Sequence, residues 1–157
     1  MTTRVDYWNH NVHYQPVILG TVPDGCGAAL EVGCGDGLLA RRLAERAAEV
    51  TAIDQDAGMI ALARERTSGS RVRYVHADFL ACPVEAASFD FACANTVLHH
   101  MDFTAALRAM ARALRPGGRL AVVGLVHAIA RDVLPGVRYR RHLLWRYSLR
   151  WRKPGGS

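Results

Sequence analysis

The chain has 157 residues, half of them hydrophobic, which is the length of one ordinary domain able to bury roughly 70% of the surface its unfolded form exposes. It contains no run of 18 apolar residues, and the opening MTTRVDYWNH lacks a signal-peptide centre, so a soluble, cytoplasmic protein with no membrane segment is expected. The net charge of +6 is unevenly placed: residues 131–157 hold eight arginines or lysines against one acid, while residues 1–130 hold twelve against thirteen.

From residue 28 onward, short apolar strands alternate with helix-period segments, the order of a doubly wound, mostly parallel α/β sheet. The spacing predicts strands near 28–33, 50–54, 72–76, 90–95 and 119–125, and helices near 37–48, 56–66 and 102–114. Asp56 is placed to cap the second helix. The third has Asp102 and Thr104 near its start and Ala106, Leu107, Met110 and Leu114 on one face, with Pro116, Gly117 and Gly118 to end it. In the tail, Trp145, Tyr147, Leu149 and Trp151 alternate with Arg146, Ser148, Arg150 and Arg152, the pattern of a strand with one buried and one wet face. VRYRR at 137–141 is its expected hairpin partner. No repeat, low-complexity tract or linker divides the chain, so one domain is expected.

Four cysteines, Cys26, Cys34, Cys82 and Cys93, form no CxxC pair, and no histidines stand beside them at paired ligand spacing. Reduced thiols and no metal site are expected.

The first strand runs into EVGCGDG at 31–37. Glycines between a strand and a helix give a ligand room to approach the backbone, and the helix N-terminus adds oriented N–H donors. A dinucleotide fingerprint that began at Gly33 and Gly35 would place its third glycine at 38, which is Leu38. The second strand ends at Asp54, a carboxylate able to accept from both hydroxyls of a ribose or, alternatively, to cap the helix that follows. The third ends at Asp78 and Phe79, an acceptor for an exocyclic amine beside an apolar ring, or else a turn aspartate beside a core phenylalanine.

Gly33, Gly35 and Gly37 behind Glu31 resemble the first motif of class I S-adenosylmethionine (SAM) dependent methyltransferases of the bacterial small-molecule type. Asp54, Asp78, the Leu98-His99-His100 stretch after the fourth strand and PGGRLAVVG at 116–124 extend the resemblance in order. WNHNVHY at 8–14 is similar to a lead-in segment that closes over the cofactor. The resemblance implies a seven-stranded Rossmann-like sheet with a C-terminal antiparallel hairpin. On it, 1–27 is the closing segment, 28–125 the cofactor-binding core, and 126–157 a crossover with the basic hairpin. That crossover, residues 126–136, is short for the link between strands five and six, which usually takes a dozen residues or more.

By the same resemblance, Glu31 and the turn of Gly33, Cys34, Gly35 and Gly37 hold the amino-acid portion of SAM. Asp54 with its neighbour Gln55 holds the ribose, Met59 one adenine face, and Asp78 with Phe79 the adenine edge. Asn95 lies beside the methionine group. Methyl transfer in line needs chiefly alignment, which can supply on the order of 7–11 kcal/mol. His99 or His100 is placed to act as a base for a high-pKa acceptor, or is a structural residue at a strand end. His13 and Tyr14 on the closing segment are candidates for substrate contact.

The expected partner is a small-molecule methyl acceptor with an oxygen, nitrogen or carbon nucleophile. ANTV at 94–97 lacks an Asn-Pro-Pro-Tyr motif and neither Cys82 nor Cys93 follows a proline, which disfavours base methylation. The basic hairpin leaves nucleic-acid binding as a second reading of its arginines, with a core side and a solvated side as the first. A nicotinamide oxidoreductase would need a glycine at 38 or a TyrxxxLys pair, and position 149, four before the lone Lys153, is leucine. A non-catalytic SAM-binding or interaction module is the remaining alternative.

Overall fold

A computed structural model describes residues 10–124, 130–142 and 147–156. Its elements are α1 (His10–His13), α2 (Gln15–Leu19), β1 (Cys26–Val32), α3 (Leu38–Leu43), β2 (Ala47–Asp54), α4 (Ala57–Glu65), β3 (Val72–His76) and β4 (Phe89–Asn95). A 3-10 turn (Leu98–His100), α5 (Phe103–Ala113), β5 (Leu114–Gly124), α6 (Ala130–Val133), β6 (Arg138–Arg141) and β7 (Tyr147–Arg152) follow. The strands form one seven-stranded sheet in the order β3-β2-β1-β4-β5-β7-β6. The five strands from β3 across to β5 pair parallel, and β7 is antiparallel to both β5 and β6. The expected doubly wound sheet and C-terminal hairpin are therefore present.

Helices cover both faces, which is why the central strands are apolar almost without a break. Ala29, Val50, Ala52, Phe91 and Cys93 pack under α2, α3 and α4, against Ile18, Leu39, Leu43 and Ile60. Leu30, Val32, Ala92, Leu120 and Val122 face α5 and α6, against Leu107, Met110 and Leu134. Leu107 and Met110 are fully buried, and burial on that scale contributes about 1.5–3 kcal/mol per side chain.

The α5 ends are satisfied from both directions. Asp102 accepts from the Ala105 amide at 2.9 Å as the N-cap. At the other end the single lysine of the sequence, Lys153, donates to the carbonyls of Ala111 (3.1 Å) and Leu114 (2.6 Å), groups that the helix leaves without an internal partner.

Three expectations are corrected. The helix expected over 37–48 ends at Leu43, and Ala47–Glu49 already belong to β2, because Ala47 and Glu49 are in register with Cys26 and Ala28 of β1. Pro116, Gly117 and Gly118 do not follow α5 as a separate stop. They lie within β5, at the place where its pairing with β4 shifts register between Phe89 and Phe91. Ser148, expected on the wet face of the tail strand, is buried, and its hydroxyl is hydrogen-bonded to His142 Nε2 at 2.8 Å.

Trp145, Arg146 and residues 8 and 9 of the lead-in segment lie outside the described residues, as does part of the crossover. Its described part is the single turn α6 and the Leu134–Val137 turn that delivers the chain to β6.

Candidate functional site

Strand order reverses at β1, which has β2 on one side and β4 on the other, so the loops leaving β1 and β4 part and open a crevice at the carboxyl end of the sheet. Every residue singled out at a strand end converges on this edge.

The three glycines of the turn do different work. Gly33 has φ +74, and a Cβ there would overlap the side chain of Val97. Gly37 has φ +76, and a Cβ would overlap the Tyr74 ring and hydroxyl, which itself donates to the Gly37 carbonyl at 3.4 Å. Those two glycines are required by the protein's own packing. Gly35, at φ +52, has nothing within 4 Å of its missing Cβ, so its bare backbone faces open space.

The floor of this space is acidic. Glu31 is 2% exposed and its Oε2 is buried without a hydrogen-bond partner. Burial holds its pKa well above the ordinary carboxyl value, Asp54 and Asp36 push the same way, and Arg41 opposes them. Burial likewise raises the Cys34 thiol, which keeps it protonated and unreactive. Asp54 is tied down on both oxygens: Oδ2 accepts from the Gly35 amide at 2.8 Å and Oδ1 from the Asp56 amide at 2.9 Å. Asp56, as expected, is the α4 cap, accepting from the Met59 amide at 3.0 Å.

The crevice has two lobes that share Gly33. The smaller, about 220 Å³, is lined by Asp54, Gln55, Asp78, Phe79 and His100, among others. Asp78 turns its own loop by accepting from the Leu80 amide at 3.0 Å, and Phe79 is buried behind it. The larger, about 640 Å³, is lined by Glu31, Cys34, Gly35, Met59 and Asn95 with Gln15, Asp36 and Arg66. The structure thus brings Asp54, Gln55, Asp78 and Phe79 together, and separately Glu31, the glycine turn and Asn95. Met59, expected beside the adenine group, stands in the second set and not in the first.

Past β4 the chain is strained. Thr96 has φ +59, an outlier for a β-branched residue, and its amide donates to Val123 O at 2.6 Å. The Thr96 hydroxyl donates to Asn95 Oδ1 at 3.2 Å, which fixes the Asn95 side chain at the crevice wall. In the 3-10 turn that follows, the rings of His99 and His100 lie 3.8 Å apart, and of the two only His100 lines a lobe. Tyr14 is buried, edge-on to His13 and 5.3 Å from the His142 ring, so it packs the closing segment against the hairpin. His13 is exposed beside it.

Sequence reasoning passed over Gln15, Arg42, Asp36 and Arg66. Arg42 Nη1 donates to Gln15 Oε1 at 2.6 Å and anchors α2 over the larger lobe, while Arg66 and Asp36 pair at 2.6 Å across its mouth. A glutamine beside a proline in QPVIL is all the sequence shows of the first pair.

A sequence profile of the methyltransferase domain family matches residues 30–122. An uncharacterized methyltransferase of Mycobacterium tuberculosis is 42% identical over 128 residues, covering 81% of this chain and 65% of that protein. A malonyl-[acyl-carrier protein] O-methyltransferase of Enterobacter lignolyticus is 38% identical over 110 residues, 69% of this chain and 41% of that protein. The chain therefore spans less than two thirds of the length of these relatives. Among solved structures, the N-methyltransferase NodS of Bradyrhizobium japonicum in complex with S-adenosyl-L-homocysteine superposes with a TM-score of 0.73 at 22% identity. That match covers 91% of this chain and 86% of the other, and it bears on the fold.

Proposed function

From its membership of the methyltransferase domain family, to which this chain belongs, we propose that it transfers the methyl group of SAM to a small-molecule acceptor. The observation that carries this reading is the unfilled backbone cradle at Gly35 standing over Glu31, a buried carboxyl with an unpartnered oxygen. Open backbone beside a buried acid with an unpartnered oxygen suits an amino acid whose ammonium meets that acid.

SAM, when bound, supplies a methyl group on a positively charged sulfur. Glu31 and the turn from Gly33 through Cys34 and Gly35 to Gly37 hold the methionine portion. Asp54 and Gln55 hold the ribose, and Asp78 with Phe79 receives the adenine in the smaller lobe. Met59, to which the family resemblance gives one adenine face, lines the larger lobe. Asn95 and the strained Thr96 fix the wall that the acceptor meets. Alignment between these walls supplies most of the rate, because in-line transfer disperses charge and asks for little proton movement. Where the acceptor must lose a proton, His100 takes it, with the His99 ring tilted against it at 43°. Tyr14 and His13 line neither lobe, and their part is to seat the closing segment against the hairpin.

Oxygen is the favoured nucleophile, since the Enterobacter relative is named as an O-methyltransferase. The whole chain acts as one domain, with residues 10–19 lying over the larger lobe. Incubation with methyl-labelled SAM and a fractionated metabolite extract tests the proposal. Label in a small organic product supports it, and tight SAM binding without transfer to any fraction would leave a binding module in its place.

A further inference from the structure

Outward of β5, the sheet face shared with α2 and α3 becomes a field of arginines. Arg150 stands opposite both Ala121 of β5 and Arg138 of β6, Arg152 stands opposite Arg119, and Arg140 stands opposite Ser148. Strand alternation puts all five arginines on one face, and all five are exposed. On this face Ile18 packs with Ala121 and Val123 of β5, Arg119 donates to Thr21 O at 3.4 Å, and cover reaches β7 only where Tyr14 meets His142 beside the buried Ser148.

Like charges directly across a ladder weaken it, so the pairs Arg138–Arg150 and Arg119–Arg152 cost the sheet stability. Charge on an edge strand guards against unwanted pairing, which accounts for β6. It does not account for Arg150 and Arg152 on β7 or Arg119 on β5, which are interior strands. The described ion pairs, Arg66–Asp36 and Arg115–Asp90, involve none of the five. The uncompensated charge is felt by a neighbour: the pKa of His142 is lowered by its burial and then by Arg140, Arg150 and His13, with no acid among the causes.

The rings of these strands lie on the opposite face. Trp151 donates to Pro135 O at 2.9 Å, and Arg131 covers the Tyr139 ring at 5.4 Å. Among the described residues the rings bordering the five arginines are His142 and Tyr14, and these are taken up by Ser148 and by each other, so single-stranded nucleic acid finds no run of free rings there. The open main-chain edge of β6 offers N–H and C=O groups that a polypeptide can pair with, and guanidinium forks take carboxylates in bidentate fashion.

We propose that this face docks an acidic, extended segment of a partner protein, which pairs along β6 and sets alternate carboxylates against Arg138, Arg140 and Arg150. The docked segment ends beside the crevice, because Ser148 bonds His142, whose ring meets Tyr14, the neighbour of Gln15 in the larger lobe.

The test is fluorescence anisotropy of the full chain with a labelled 12-residue peptide of alternating glutamate and threonine. Binding is expected, with at least a tenfold loss in Arg138→Glu/Arg150→Glu and less than twofold change in Arg108→Glu/Arg112→Glu, which alters the same charge on α5. A lysine-threonine peptide should bind the first variant better than it binds the wild type. Arg140→Glu alone, with a several-fold loss, serves if the double variant fails to fold. Absence of peptide binding, equal loss in the α5 variant, or tighter binding of 20-base-pair duplex DNA through the same residues would overturn the proposal. SAM titration of the same variants should match wild type, so failure of docking and failure of the cofactor reading are told apart.

Discussion

Asp54 accepts the Gly35 amide at 2.8 Å, which locks the tip of β2 to the glycine turn after β1. One carboxylate therefore sets the shape of the cradle and borders the smaller lobe. Asp54→Ala should weaken SAM by about 1.5–3 kcal/mol, the range for hydrogen bonds to a charged group. Calorimetry measures this directly, and an affinity equal to wild type would remove Asp54 from the site.

Gly35 and Gly37 separate binding from folding. Gly35→Ala meets no atom and carries only the left-handed backbone cost of about 1–2 kcal/mol, yet its methyl group enters the cradle, so SAM affinity should fall more than tenfold. Gly37→Ala drives a methyl into Tyr74 and should lower the melting temperature well beyond the Gly35 variant. Equal effects of the two on stability and affinity would show that the turn is merely structural.

Glu31 gives the apo protein a pH signature. Its folded pKa is raised above about 4.5 by burial, then by Asp54 and Asp36, so the folded state binds the proton more tightly than the unfolded state does. Stability from this group is present in full below that value and is lost as pH rises through the folded pKa. Glu31→Gln should flatten this slope in urea unfolding curves. If SAM binding draws the proton from Glu31, Glu31→Gln should abolish that release, read by calorimetry in buffers of different ionisation enthalpy.

Asp90 has the opposite sign. Burial raises its pKa, but hydrogen bonds from Arg115 and from the Ala28 and Gly27 amides outweigh burial and leave the pKa lowered. Its contribution is present above about pH 3.8 and is lost as pH falls through the folded value. Asp90→Ala should cost about 1–2 kcal/mol after allowance for solvent around the Arg115 pair, and most of that cost should vanish in acid.

The strand-end residues were legible because each leaves a local mark. Glycines at Gly33, Gly35 and Gly37 signal a turn with positive φ, and acids at Asp54 and Asp78 stand where a strand gives way to a loop. The sequence did not reveal which glycine faces open space, since Val97 and Tyr74, which claim Gly33 and Gly37, lie far along the chain. The same holds for Arg42 with Gln15 and for Arg66 with Asp36, contacts that span 27 and 30 residues. The α3 boundary was missed because Ala47 and Ala48 favour helix, and the pairing of Ala47 with Cys26 and of Glu49 with Ala28 overrode that preference. Ser148 broke the alternation because His142 offered its hydroxyl a partner that no local pattern announces.

The most direct measurement is calorimetric titration of the intact chain with SAM and, separately, with NAD. One-site binding of SAM with a dissociation constant below ~100 µM, lost in Gly35→Ala and accompanied by no heat from NAD, is the predicted result. Heat from NAD alone, or SAM binding that Gly35→Ala leaves intact, would contradict the account.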